Sequence, residues 1–290
     1  IIKNLIYLKG KICDWSKQNT IDKFIKDLGI KGTAISPMGL MAYEDSPDKH
    51  LIRAKRYWEQ NFKSKITKMS MNMNKKIKIG YFSANLNEHA VMHLFTRILE
   101  LHDKDKFYIY CFSFGNSTVD RYTKRIIKSV NEFIDMRNHT DIEIVKTSRN
   151  LKIDIAVDLM GYSKNSRPKI FSLRAAPIQI SYLGFPGTIG TKSIDYLIAD
   201  KYLIPEENKK YYSEKIIYMP TCYQCNDDKL LASSVKYSKQ LLGINKNDFV
   251  FSCFNTNYKI TPKEFNIWIN LLKRVDKSVL WLARSNKFSE

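Results

Sequence analysis

The chain has 290 residues, 44% of them hydrophobic and 12% aromatic, with 48 Lys and Arg against 29 Asp and Glu for a formal net charge of +19. This composition allows a sizeable core and one or two domains, and it excludes a disordered or fibrous chain. No apolar run approaches the roughly 20 residues that span a bilayer, so no membrane partner is expected.

The chain opens Ile1-Ile2-Lys3-Asn4, with neither an initiator Met nor a signal-peptide pattern, and so reads as a segment of something longer. Residues 1–66 are expected to be a helical leader. Ile21, Phe24, Ile25 and Leu28 form one helical stripe, with Thr20 placed to cap it and Gly29 to end it. Ser46-Pro47 opens another helix, lined by Leu51, Ala54, Trp58 and Phe62. Residues 63–76 are polar and rich in Met, Asn and Lys, a linker composition.

From there strands and helices alternate. Strands are expected at 76–83, 107–114, 132–135, 153–159, 177–183, 195–200 and 215–219. Helical faces fall between them at Val91, Leu94, Phe95, Ile98 and Leu99, at Val119, Tyr122, Ile126 and Val130, and over 168–173. The strand at 177–183 carries Ile178, Ile180, Tyr182 and Leu183 and is expected to be buried on both faces. This rhythm predicts a doubly wound α/β domain over 75–235. A second unit starts at 236–290, with a strand at 248–254, a helix from Thr261-Pro262 carrying Phe265, Trp268, Ile269 and Leu272, and a strand at 278–283. Two strands and one helix cannot close a Rossmann-like domain, so this second lobe is expected to be incomplete.

The lysines are scattered, with pairs at Lys75-Lys76 and Lys209-Lys210 but no basic run interleaved with aromatics. The charge therefore reads as compositional drift over the surface, and a nucleic-acid partner is disfavoured. The cysteines Cys13, Cys111, Cys222, Cys225 and Cys253 are odd in number and widely spread, which suits a reducing compartment rather than a disulfide framework. Cys222 and Cys225 have the spacing of half a zinc site, but no second pair follows, so no metal site is expected.

Three places can carry chemistry. The first is Gly80-Tyr81-Phe82-Ser83 followed by 85–93, a strand end, loop and helix start of the kind that binds anions. There His89 is a candidate catalytic residue, able to take a proton or bond a sugar hydroxyl, while His93 one turn on reads as structural. The second is a pair of strand ends. Asp158-Leu159-Met160-Gly161-Tyr162 suits a sugar or peptide cleft, or a simple helix cap. Gly184-Phe185-Pro186-Gly187-Thr188 reads as a cleft lip or as a plain turn. The third is 254–262, where Lys259 precedes a helix N-terminus, a natural place for a phosphate or a surface lysine only.

These segments, in this order, resemble the catalytic region of the protein O-linked N-acetylglucosamine transferases, the SPINDLY-like group. The resemblance runs through Ile79-Gly80-Tyr81-Phe82-Ser83, His89-Ala90-Val91, the two strand ends above, Arg174-Ala175-Ala176-Pro177, Asp195-Tyr196, Tyr212-Ser213-Glu214-Lys215, Tyr218-Met219-Pro220, Phe254-Asn255 and Tyr258-Lys259-Ile260. It also takes in the leader, through Ile12-Cys13-Asp14-Trp15 and Ile35-Ser36-Pro37.

The resemblance implies a two-lobed glycosyltransferase fold of the GT-B type, with the leader as the junction to upstream tetratricopeptide repeats. It implies an enzyme that moves N-acetylglucosamine from UDP-N-acetylglucosamine to Ser or Thr hydroxyls of protein and peptide acceptors, inverting the anomeric carbon and using no metal or other cofactor, and the cysteine usage makes a cytoplasmic location the expectation. It implies His89 near the sugar as a proposed base, with a donor phosphate oxygen as the alternative acceptor of the proton, Lys259 on the donor diphosphate, and Tyr162 with Gly184, Phe185, Pro186, Gly187 and Thr188 along the sugar and acceptor side.

Two positions depart from the animal members: Thr256 stands where a Gln touches the donor, and Asp154 replaces a His. The His-Thr-Thr-Gly stretch and acidic ribose-binding residue of the second lobe are not reached, so the segment is expected to be inactive alone. The competing expectation is a non-catalytic peptide-binding or scaffolding remnant.

Overall fold

The computed structural model describes residues 2–65, 69–71, 74–116 and 119–288. The end of the expected leader, part of the expected linker and the last two residues lie outside these. The chain divides into two compact units. One comprises Gly32–Met38 and Ser46–Leu230, the other Ile1–Lys31, Gly39–Asp45 and Leu231–Glu290. Residues 1–66, expected as one leader, are thus divided between the two.

The larger unit is built on seven parallel strands: β1 (Ile77–Ser83), β2 (Phe107–Ser113), β3 (Glu132–Asp135), β4 (Ile155–Asp158), β5 (Ile178–Ser181), β6 (Tyr196–Ala199) and β7 (Lys215–Tyr218). Their spatial order is β3-β2-β1-β4-β5-β6-β7. The chain runs outward from β1 through β3, crosses back to β4 and then runs out the other way, which is the doubly wound pattern the alternating elements predict.

Alternate residues of the inner strands face opposite sides. Ile79 and Tyr81 of β1 and Ile109 and Cys111 of β2 pack with Met92, Phe95 and Leu99 of α4 (Ala90–Leu101) and Tyr122 and Ile126 of α5 (Arg121–Ser129). Phe82 and Phe112 face the other way, stacked at 4.3 Å between ring centroids. They join Ala54 and Trp58 of α3 (Pro47–Asn61), Ile144 and Val145 of α6 (Asp141–Asn150) and Ile170 and Phe171 of α7 (Pro168–Ser172). Each fully buried phenylalanine contributes about 1.5–3 kcal/mol.

No regular apolar stripe marks α6 in the sequence. Thr140 and Glu143 form a capping box at its start, a signal present in the sequence. β5 differs from its expectation as well. Ile178 and Ile180 are only half-buried, while Gln179 is fully buried, with its oxygen and both amide hydrogens engaged. Its Oε1 accepts from the Ala175 amide at 2.8 Å, and its Nε2 donates to the Phe171 and Ser193 carbonyls at 2.8 and 2.6 Å.

In the smaller unit α1 (Ile2–Lys11) and α2 (Gln18–Ile25) pack around Ile6, Ile21 and Ile25. α2 starts after Lys17, so Thr20 lies inside it rather than capping it, and Phe24 of the expected stripe is exposed. β8 (Phe249–Cys253) and β9 (Ser278–Leu282) pair in parallel across α8 (Pro262–Arg274), as the second βαβ pattern predicts. Phe265, Trp268, Ile269 and Leu272 of α8 are half-buried, and Trp15 lies against Phe265 at 5.3 Å.

Candidate active site

The strand order reverses between β1 and β4, and it is outside the C-terminal strand ends at such a switch point that open α/β sheets bind their ligands. Ser83 ends β1 and donates through Oγ to the Met160 sulfur at 3.2 Å. Asn85 donates through Nδ2 to the same sulfur at 3.4 Å, and its amide bonds Ser83 Oγ at 3.0 Å. These contacts tie the loop after β1 to the loop after β4.

His89 sits where the first of these loops becomes α4. Its backbone is extended, with φ −143° and ψ 152°, and its Nδ1 accepts from the Val91 amide at 3.2 Å. It is therefore the N-cap of α4, and in the neutral ring that bond leaves Nε2 as the protonated nitrogen. The residue is exposed, but partial shielding of its ring and the nearby His93 hold the imidazole below its usual range. His93 lies one turn on with its ring 4.8 Å from Tyr122.

Asp158 ends β4 with a buried carboxylate. Its Oδ1 accepts from the Met160 and Gly161 amides at 2.8 and 3.1 Å, and burial pushes it up to about 6 despite those bonds. Gly161 follows with φ 53°, and a Cβ there would lie 2.5 Å from Phe185 Cβ, so glycine is required on both counts. Gly184 is equally confined, 2.0 Å from the Leu159 carbonyl oxygen for any added Cβ. The loop after β5 is thereby laid directly against the loop after β4.

The residues expected to line a cleft separate into two kinds. Tyr162, Phe185 and Thr188 are buried, whereas Gly184, Pro186 and Gly187 remain half-exposed. Tyr162 packs edge-on to Phe185 at 5.4 Å and to Tyr57 at 5.2 Å, and its hydroxyl donates to the Ile189 carbonyl at 2.6 Å. Thr188 donates to Glu214 Oε2 at 2.6 Å, while the Ile189 amide donates to Glu214 Oε1 at 2.6 Å. On sequence Asp158 is only the polar group of a cleft or cap, and Glu214 only a member of a shared motif; neither is expected as a buried carboxylate. A carboxylate's burial is set by packing across the sheet, which local pattern does not carry. Asp154, the other departure noted, lies at the opposite edge, where Oδ2 accepts from the Lys78 amide at 2.9 Å and from Asn74 at 2.8 Å.

In the smaller unit Thr256 and Lys259 are both exposed around a 3-10 turn over Asn257–Lys259. α8 begins just beyond, closed by a capping box. The Thr261 hydroxyl accepts from the Lys263 amide at 3.3 Å, and Glu264 reaches back to the Thr261 amide at 3.1 Å. The helix start thus already has its own acceptors and a carboxylate, which leaves Lys259 as the source of positive charge in this turn.

Cys222 and Cys225 are free cysteines, and among the described residues no group of three or more His, Cys, Asp or Glu is arranged to hold a metal ion. No helix among them is long and apolar enough to cross a membrane.

The profile of glycosyl transferase family 41 matches residues 53–240 and 226–290. A probable UDP-N-acetylglucosamine–peptide N-acetylglucosaminyltransferase SEC of Arabidopsis thaliana is 36% identical over 215 residues, covering 72% of this chain and 22% of its own length. A probable enzyme of the same description, SPINDLY of Eustoma exaltatum subsp. russellianum, is 28% identical over 245 residues, covering 81% of this chain and 26% of its own length. The chain therefore spans about a quarter of the length of the curated relatives it matches. Among solved structures, a Thermobaculum terrenum O-GlcNAc transferase mutant superimposes with a TM-score of 0.80 at 23% identity, over 97% of this chain and 54% of that one. That likeness shows the fold, a GT-B-like architecture.

Proposed function

This chain belongs to glycosyl transferase family 41, and on that premise we propose that it takes part in moving N-acetylglucosamine from UDP-N-acetylglucosamine to Ser and Thr hydroxyls of proteins. The observation that carries the reading is the meeting, at the switch point of one sheet, of the three loops that hold His89, Tyr162 and residues 184–188. The donor and the acceptor class are those named in the relatives' descriptions, a UDP-N-acetylglucosamine donor and a peptide acceptor.

In this reading the acceptor hydroxyl attacks the anomeric carbon opposite the leaving UDP and inverts it, without a metal cofactor. Charge growing on the diphosphate is met by Lys259, and Thr256 contacts the donor beside it. The half-exposed edge of the 184–188 loop borders the sugar and the acceptor, and binding both reactants in one orientation supplies much of the acceleration. His89 presents Nε2–H, a donor, so it bonds a substrate oxygen while a donor phosphate oxygen takes the hydroxyl's proton. The free cysteines suit a reducing compartment, which supports a cytoplasmic location as part of this reading.

Donor binding tests this directly. In the natural polypeptide carrying these 290 residues, Lys259→Ala is expected to weaken UDP binding by about 10-fold or more in a calorimetric titration, the value of one charge-assisted contact. Equal affinity in the variant would remove Lys259 from the donor site. Peptide binding without any UDP binding would favour a scaffolding remnant.

A further inference from the structure

We propose that Glu214 is a positioning residue for the transfer, holding the 184–188 loop in its working shape through the Thr188 hydroxyl and the Ile189 amide. The inference rests on the glycosyltransferase reading above for its function, and on hydrogen-bond geometry for its substance.

Glu214 lies between a 3-10 turn at Glu206–Tyr211 and β7, and only 5% of it is exposed. Each carboxylate oxygen has one short bond, Oε2 from Thr188 Oγ1 and Oε1 from the Ile189 amide, both at 2.6 Å. The Thr188 hydroxyl is in turn saturated. It donates to Glu214 and accepts from the Gly190 amide at 3.0 Å and the Ser213 amide at 3.1 Å. A hydroxyl has one proton and two lone pairs, so this network admits one arrangement only, with Glu214 as acceptor. On the far side Tyr162 donates to the Ile189 carbonyl at 2.6 Å, so residue 189 is fixed at both its N–H and its C=O.

What faces Glu214 is hydroxyl and amide donors, with the Tyr162 and Tyr212 phenols nearby, and among the described residues no ion pair reaches it. Burial pushes its carboxyl up, while the bonds from Thr188 and Ile189 pull it down. A buried carboxylate with no ion pair is costly, and hydrogen bonds alone offset that cost here. With both oxygens engaged and almost no exposed surface, Glu214 is not placed to take a proton from a substrate. Its effect reaches the chemistry only by way of the loop. Of that loop, Gly184, Pro186 and Gly187 keep accessible surface, while Phe185 and Thr188 are its buried feet. A foot that loosens displaces the accessible arc, and displacements of about 1 Å at a reacting geometry cost about 10²-fold in rate.

The test uses Glu214→Gln, Thr188→Val, Thr188→Ser and the double variant E214Q/T188V in the natural polypeptide that carries this chain. Gln keeps the shape of Glu214 but turns one acceptor into a donor facing a donor. Val removes only the hydroxyl. We expect E214Q and T188V each to lower kcat about 10²-fold with the donor KM changed less than about threefold. The double variant should be no worse than either single one, because both break the same link. T188S should stay within about threefold of the unaltered protein, since the hydroxyl is retained. Amide exchange gives a readout independent of turnover: Ile189 and Gly190 should exchange about 10-fold faster or more in E214Q. Unchanged exchange at these amides in E214Q, or losses that multiply in the double variant, would overturn the proposal. Faster exchange in E214Q beside an unaltered protein that transfers nothing would refute the glycosyltransferase reading and leave the loop clasp standing.

Discussion

Asp158 and His89 stand at the two loops that leave the switch point, and both have shifted ionisation for physical reasons. For Asp158 burial outweighs two amide bonds and raises the carboxyl to about 6 from 3.8. The folded state then binds the proton more tightly than the unfolded one. Its contribution to stability is fully present below about pH 3.8 and is lost as the pH rises through about 6. His89 moves the other way. Shielding and His93 favour the neutral ring, so the cap on α4 is intact above about 6.5, the unfolded-state value, and is lost as the pH falls through the lowered folded one. One NMR titration reads both: the Asp158 carboxyl carbon is expected to titrate near pH 6, and the His89 ring below 6.5 with its neutral form protonated at Nε2. A carboxyl titrating below pH 4 would contradict the buried placement. His89 was legible in the sequence because a histidine at a strand-to-helix turn stands out by position. Asp158 was legible only as part of a motif, and Glu214 not as a functional group at all, since nothing within four residues of either foretells its burial.

Elements whose apolar residues repeat at helical or alternating spacing were readable, and those without that regularity, or held by polar contacts, were not. α4 follows its expected face, with Phe95 and Leu99 buried. α6 was missed because Ile142, Ile144 and Val145 make no regular stripe, and Ile142 is 57% exposed. The segment after β7 illustrates the same limit. Arg125 of α5 bonds Glu100 of α4 through Nε at 2.5 Å and grips Asp227 with both terminal nitrogens, the longer bond being 3.1 Å. Lys229 adds a bond to Glu100 at 2.8 Å. Asp227 is buried and its carboxyl is held below the usual range chiefly by Arg125, while Arg125 with Lys229 draws Glu100 down to about 2 against the cost of burial. Asp227→Ala leaves Arg125 without half of its partners. It is expected to cost about 3 kcal/mol, read as a lower denaturant midpoint at constant slope. A loss under about 0.5 kcal/mol would mean that the network is a surface ion pair of little consequence.

On the scale of the whole chain, alternation of strands and helices was sufficient to predict the parallel sheet, because a strand buried on both faces leaves an apolar run that turn residues punctuate. The division into units was not readable in the same way. Grouping α1 and α2 with β8, α8 and β9 depends on contacts such as Tyr7 with Tyr258 at 5.6 Å, between residues far apart in sequence. The net charge of +19 has no concentrated basic run behind it, and the sites that gather at the sheet edge owe little to it. The proposed transfer of N-acetylglucosamine is itself open to direct assay. The natural polypeptide carrying these residues is incubated with UDP-N-acetylglucosamine and a peptide bearing Ser and Thr. UDP release is expected, matched by a peptide bearing N-acetylglucosamine on a hydroxyl, with the configuration at the anomeric carbon inverted. A peptide left unmodified while the protein is folded and UDP is bound, or a product with retained configuration, would contradict it.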